Sequence, residues 1–225
     1  MTNTRVFFLG LCILMLLSGC FEIIEEINLR KDGSGELMLT VDLSESALQV
    51  RQYLEAGEVD GKPLPSRQRM ESMLEELKAR LSKAPGLHGV VVQSNWDRYV
   101  FKIRCGFRRV EDLDAALLEM AREAAEQHDK TLRWKPNFRF QNGVFTRFFD
   151  FDIDPTDFDR LPATRKRMLE SARYIVIYRF EQAIADFNNK AFQLSPSGKA
   201  LMLQTTPADV LSRRLNPANR ITLSR

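Results

Sequence analysis

The apolar and polar positions of this chain change period several times, and each change predicts an element. Residues 21–30 alternate, with Phe21, Ile23, Ile27 and Leu29 set against Glu22, Asn28 and Arg30; residues 36–43 repeat the pattern through Leu37, Leu39, Val41 and Leu43. A period of two is the mark of a strand with one buried face. The intervening Lys31-Asp-Gly-Ser-Gly35 reads as a turn, its glycines supplying the positive φ angles that a hairpin return can need. The period then becomes helical. Ser44 to Ala56 opens on a capping serine, and Ser66 to Lys83 places Met70, Leu74, Leu77 and Leu81 on one stripe, separated by a loop with two glycines and two prolines.

The alternation returns at residues 89–94 and 99–107, a predicted hairpin across Asn95 to Arg98. A third helix is expected from about Val110 to Gln127. Phe138 to Gln141 and Val144 to Ile153 flank Asn142-Gly143, the strongest short hairpin signal in the chain. The last third adds Tyr174 to Phe180 and a hairpin through Ser195-Pro-Ser-Gly198 to Leu203. Strand pairs separated by helices predict an α+β fold, an antiparallel sheet built of hairpins with helices packed on one face.

The first twenty residues follow another logic. Met1 to Arg5 carries one positive charge and no acid, and Val6 to Leu17 is apolar apart from Gly10 and Cys12. That run is too short for a bilayer core, which needs about 20 helical residues. It fits the apolar region of a signal peptide. Leu17-Ser18-Gly19-Cys20 then resembles the lipobox of bacterial lipoproteins, a Leu, two small residues and a Cys. The resemblance implies that residues 1–19 are cleaved and that the Cys20 sulfur carries a diacylglycerol as the membrane anchor. Phe21, where the enterobacterial sorting rule reads an Asp as retention, implies the periplasmic face of the outer membrane in a cell that has one. Otherwise the outer face of the cytoplasmic membrane is implied.

A second resemblance, of layout alone, is to uncharacterised lipoproteins with an LppM-type domain. It rests on Cys20, the turn from Asp32 to Gly35, and the late strand region from Tyr174 to Leu203. That family offers no established catalytic residues to carry over.

Composition narrows the function classes. With 44% hydrophobic and 28% charged residues the chain reads as globular, and its net charge of +3 gives no nucleic-acid footprint. Cys12 goes with the signal and Cys20 is assigned to the lipid, so Cys105 is the only remaining thiol and an intrachain disulfide is ruled out. Cys105 alternates with Phe101, Ile103 and Phe107 and reads as a core thiol.

Candidate chemistry is sparse. Asp150, Asp152, Asp154, Asp157 and Asp159 open like a calcium loop, but Pro155 stands where such a loop needs Gly and Leu161 where it needs Glu. No metal site and no cofactor are expected. Arg133, Trp134, Lys135, Phe138, Arg139, Phe140, Arg147 and Phe148 interleave cations with aromatics, which reads as a solvated strand face ahead of an anion-binding surface. His88 and His128, the two histidines, have no nucleophile motif beside them, so an enzyme is not expected.

The domain expectation is therefore a cleaved signal (1–19), a single α+β domain (20–210) and a basic C-terminal tail (211–225). Arg213, Arg214, Arg220 and Arg225 of that tail read equally as contacts for anionic headgroups or as a frayed end. The functional expectation is a non-catalytic envelope lipoprotein acting as an interaction or assembly module, with a lipid or apolar-ligand carrier as the alternative. Its partners would be the membrane, through Cys20, and an envelope protein or lipid. A carrier calls for a deep apolar cavity, an interaction module for a filled core and an exposed face.

Overall fold

The computed structural model describes residues 21–59, 61–116, 136–150 and 155–224. Strands β1 (Glu22–Leu29) and β2 (Gly35–Asp42) pair antiparallel over all eight residues, as the alternation predicts. Asp32 organises the turn between them: its Oδ1 accepts from the Ser34 N–H at 2.9 Å and the Ser34 hydroxyl at 2.7 Å, and these bonds hold the carboxyl below its ordinary pKa. Gly33 has the expected positive φ of 86°. Gly35 serves a different need, since a Cβ there would lie 2.0 Å from the Asn28 carbonyl oxygen and 2.6 Å from Phe107.

A 3-10 turn (Ser44–Ser46) leads into α1 (Ala47–Ala56), which ends at Gly57 with φ 71°. The following loop contains a two-residue ladder, β3 (Glu58–Val59) with β4 (Lys62–Pro63). Helix α2 (Arg67–Lys83) is capped by Ser66, whose Oγ accepts from the Arg69 N–H. It buries Met70, Met73, Leu77 and Leu81, so Met73 takes the place expected of Leu74. β5 (Leu87–Asn95) and β6 (Val100–Phe107) form the predicted hairpin, and residues 111–116 begin the predicted third helix.

β7 (Phe138–Gln141) and β8 (Val144–Arg147) close around Asn142 and Gly143, both at positive φ as this tight hairpin turn demands. The strand expected to reach Ile153 stops at Arg147; Phe149 turns the chain with φ 47°. There follow α3 (Pro155–Asp159), α4 (Ala163–Ser171), β9 (Arg173–Phe180), β10 (Ile184–Phe187), β11 (Gln193–Leu194), β12 (Ala200–Thr205), α5 (Pro207–Leu211) and β13 (Asn219–Leu223).

Two sheets carry the α+β fold. The larger has the order β11-β12-β9-β1-β2-β6-β5, the smaller β10-β13-β8-β7. The antiparallel sheet of hairpins that the pattern predicts also contains a parallel pair at its centre, where β1 and β9 run in unbroken register from Glu22↔Arg173 to Leu29↔Phe180. Parallel neighbours need a crossover connection, and here most of the domain lies in it.

The expectation of a tail at 211–225 is corrected as well. Residues 219–223 form β13 between β10 and β8, with Ile221 and Leu223 buried, because the alternation Asn219, Ile221, Leu223 presents one face to the core. The domain therefore runs past residue 210.

Among the described residues, both hydrophobic clusters lie on one face of the large sheet. Ile27, Leu29, Cys105, Phe107, Val176, Tyr178, Leu201 and Leu203 meet Leu77 and Leu81 of α2, and Phe145, Ile221 and Leu223 of the small sheet, in one core. Phe21, Val41, Leu43 and Phe101 meet Val50 of α1, Phe158 of α3, Met168 and Leu169 of α4 and Ala208 of α5 in a second. Helices on one face is thus the arrangement the pattern predicts.

Candidate functional site

Cys20 lies outside the described residues, but the chain beyond it is fixed at once. Phe21 is only 2% exposed, and its carbonyl accepts the N–H of Arg173 at 2.9 Å. At this end of the large sheet Arg173 also pairs with Glu22 and Glu45. The neighbouring strands enter or leave their helices here too: β2 into α1, α4 into β9, and β12 into α5. Thr206 caps α5 by accepting from the Asp209 N–H, and its hydroxyl donates to the Asp209 carboxylate. Burial pushes that carboxyl up, but the bonds from Thr206 and Arg214 outweigh it and hold its pKa below the ordinary value.

Of the four C-terminal arginines, the three described ones lie in two places, after α5 and on β13. Arg213 is exposed with φ 57°, and Arg214 pairs with Asp209 at 2.8 Å, both just after α5. Arg220 lies on β13, exposed, between the inward Asn219 and Ile221. Arg225 is outside the described residues.

Between the sheets lies a polar cluster that the sequence reading missed. Arg147 of β8, expected on a solvated face, is 5% exposed. Its Nη2 lies 3.4 Å from Glu25 Oε2, and the Tyr174 hydroxyl donates to the same oxygen at 2.8 Å. The guanidinium sits 4.2 Å from the Phe138 ring centre and 5.0 Å from that of Phe149. Burial works against the charge on Arg147, while Glu25 and the neighbouring tyrosines favour it and raise its pKa. Burial, reinforced by Glu25, pushes the Tyr174 and Tyr178 hydroxyls far up, so both stay protonated.

Beside the cluster, Asp114 Oδ2 accepts the N–H groups of Asn137 and Phe138, each at 2.8 Å, and burial raises its pKa. The signal for Arg147 was present in the strand period. Arg147 shares its face with Phe145, and Asn219 stands opposite it on β13. With aromatic rings over the buried guanidinium, the cluster ties the two sheets together.

The opposite face of the large sheet carries no helix or strand among the described residues. Met202, Ile177, Glu26, Met38 and Arg104 form one cross-strand row there, and Gln204, Ile175, Ile24, Thr40 and Lys102 the next. Arg179 pairs with Glu26 on this face. At the end remote from Phe21, a shallow depression of about 270 Å³ is lined by Asn28, Leu29, Arg30, Glu36, Arg179, Phe180 and Glu181. Its charged lining does not match the deep apolar cavity expected of a carrier.

Other sequence candidates are placed as follows. Cys105 is buried, and burial, aided by Glu36, raises its pKa to about 11. His88 lies in β5 against Gly106, where a Cβ would come within 2.4 Å of its Nε2. Of the aspartates, Asp150 and Asp159 are exposed, whereas Asp152 and Asp154 lie outside the described residues, as do Arg133, Trp134, Lys135 and His128. Among the described residues no group of three or more His, Cys, Asp or Glu side chains is placed to hold a metal ion, and no helix is long and apolar enough to cross a membrane.

No protein-family model matches this chain, and no curated protein matches it. Among solved structures, the NMR structure of the folded domain of the Mycobacterium tuberculosis LppM protein is similar in part. It is 10% identical over 91% of this chain and 90% of that one, with a TM-score of 0.38.

Proposed function

We propose that this chain is an exported lipoprotein of the bacterial envelope, acylated at Cys20, whose α+β domain acts as a non-catalytic interaction module. The observation that carries the reading is the burial of Phe21, the residue next to Cys20, and the bond from its carbonyl to Arg173. A signal-like apolar segment ending in Leu-Ser-Gly-Cys runs into the centre of a sheet with no Gly/Ser/Pro spacer. A lipid on Cys20 would hold the domain against its membrane by the Phe21 end. The bare face of the large sheet, with Ile24, Met38, Ile175, Ile177 and Met202 set among Glu26, Lys102, Arg104 and Arg179, is then what the protein presents to a partner. Partly buried apolar residues framed by both signs of charge suit an envelope protein better than an acyl chain.

Metabolic labelling with a palmitate analogue tests the anchor, and a photo-cross-linking residue at Ile177 tests the face. The expected result is a labelled, membrane-bound protein that becomes unlabelled in Cys20→Ala, with a discrete cross-linked species from Ile177 and none from a control at Arg220. An unlabelled wild-type chain would remove the lipoprotein reading. Labelling without any cross-link from Ile177 would remove the interaction module.

A further inference from the structure

The bare face of the large sheet carries its charges in columns, one strand to a column. On β9 it presents Arg173, Ile175, Ile177 and Arg179, and on β1 beside it Glu22, Ile24, Glu26 and Asn28. Outward from β1, β2 adds Glu36, Met38, Thr40 and Asp42, and β6 adds Lys102 and Arg104. On the other side of β9, the face continues through Ala200, Met202 and Gln204 of β12. The register therefore sets a cationic β9, acidic β1 and β2, and a cationic β6 side by side. Ile24, Met38, Ile175, Ile177 and Met202 form the apolar centre, Met202 being 39% exposed, with Glu26 among them paired to Arg179.

We propose that the partner of this face is a second copy of the chain, packed face to face about a two-fold axis that runs along the strands between β1 and β9. The inference rests on the interaction-module reading and deepens it. With a lipid on Cys20 of each copy, both Phe21 ends lie at one membrane, so the axis runs along the strands; an axis across them would point the two ends in opposite directions. Charge and apolar cover fix its position. An axis on β1, or between β1 and β2, sets acids against acids, and one on β9 sets Arg173 and Arg179 against their own copies. An axis between β2 and β6 leaves Ile175, Ile177 and Met202 uncovered, and one between β12 and β9 leaves Ile24 and Met38 uncovered. Between β1 and β9, the cationic column of each copy faces the acidic column of the other. Arg173 then meets Glu22, Ile175 meets Ile24, and Met202 meets Met38, while the uncharged β11 lies against Lys102 and Arg104. Six strands about 4.8 Å apart and about eight residues long offer a footprint of about 700 Å², near the roughly 800 Å² per partner of a stable interface.

The test uses the full acylated protein in its membranes, with Met38→Cys and Met202→Cys combined in one chain. A bifunctional thiol reagent spanning less than about 10 Å, the spacing of packed sheets, joins cysteines that face each other. Within one chain the two positions lie three strand spacings apart, about 14 Å, beyond its reach. Each position is equally far from its own copy across the axis, so neither cysteine alone can link two chains. The buried Cys105 does not compete for the reagent. Photo-cross-linking from Ile177, run in parallel, reads the face whatever occupies it.

The expected result is a covalent dimer from the double variant that is lost when either cysteine is left out, together with an Ile177 product of twice the chain's mass. Met202→Glu sets a new acid against the partner's acidic columns and should abolish the Ile177 product, with an unchanged circular dichroism spectrum showing that the variant is folded. A thiol dimer as strong from Met38→Cys alone would overturn the proposed axis, and an Ile177 dimer that survives Met202→Glu would overturn the proposed contact. An Ile177 product of any other mass, with no thiol dimer, would overturn the second copy and leave the interaction module standing. No product by either route would overturn both.

Discussion

Arg147 and Glu25 meet across the interior, 3.4 Å apart from Nη2 to Oε2, and join the small sheet to the centre of the large one. A buried charge left without its partner is far more destabilising than a pair replaced together by apolar groups. Arg147→Met alone is expected to lower unfolding free energy by about 3–5 kcal/mol, and adding Glu25→Leu to recover most of that loss. Urea unfolding of both single variants and the double variant checks this. Strictly additive losses would show that the pair is not coupled.

Gly35 should tolerate no side chain. A Cβ at 2.0 Å from the Asn28 oxygen and 2.6 Å from Phe107 forces the β1–β2 ladder apart, so Gly35→Ala is expected to cost about 2 kcal/mol or more. Gly61→Ala has nothing within 4 Å and meets only the strain of its φ of 71°, about 1–2 kcal/mol. Comparing the two midpoints in urea separates steric from backbone strain.

Asp209 links stability to pH. Its folded pKa lies below the reference value of 3.8, so its contribution is present above that value and is lost as pH falls through the lower folded one. Asp209→Asn is expected to melt below the wild type at pH 7, with the gap closing in strong acid. A gap independent of pH would show that the hydrogen bonds act without the charge.

Cys105 is expected to ignore thiol reagents in the folded protein. With its pKa near 11, about one thiolate in a thousand is present at pH 8, and burial hides that fraction as well. Reaction with a chromogenic disulfide should wait for denaturant. Stoichiometric modification under native conditions would place the thiol at the surface.

Most strands and the two long helices were legible because their signals are local: the period of two from Phe21 to Leu43, the Ser66 cap of α2, the Asn142-Gly143 turn. What escaped depends on distant partners. Nothing near Tyr174 announces that β9 will lie parallel to β1, since the pairing is decided by burying Val176 and Tyr178 beside Glu25 and Ile27. Arg147 was assigned to solvent by its charge, although its place beside Phe145 pointed inward. β13 is hidden by the arginines near it, although Arg220 and Thr222 alternate with the inward Asn219, Ile221 and Leu223. The aromatic and basic patch divided for the same reason: Arg147 and Phe138 went inside and Arg139 stayed out.

The parallel pairing of β1 with β9 also dictates an order of events. β1 is synthesised long before β9, and one of its edges stays open until residues 173–180 arrive, well over a hundred residues later. Contacts so far apart in sequence make closure slow. Until then the early hairpin shows eight residues of unpaired backbone to whatever strand is near, which is an invitation to aggregate. A nascent or truncated chain ending before Arg173 would therefore need a chaperone, whereas the completed chain seals the edge itself.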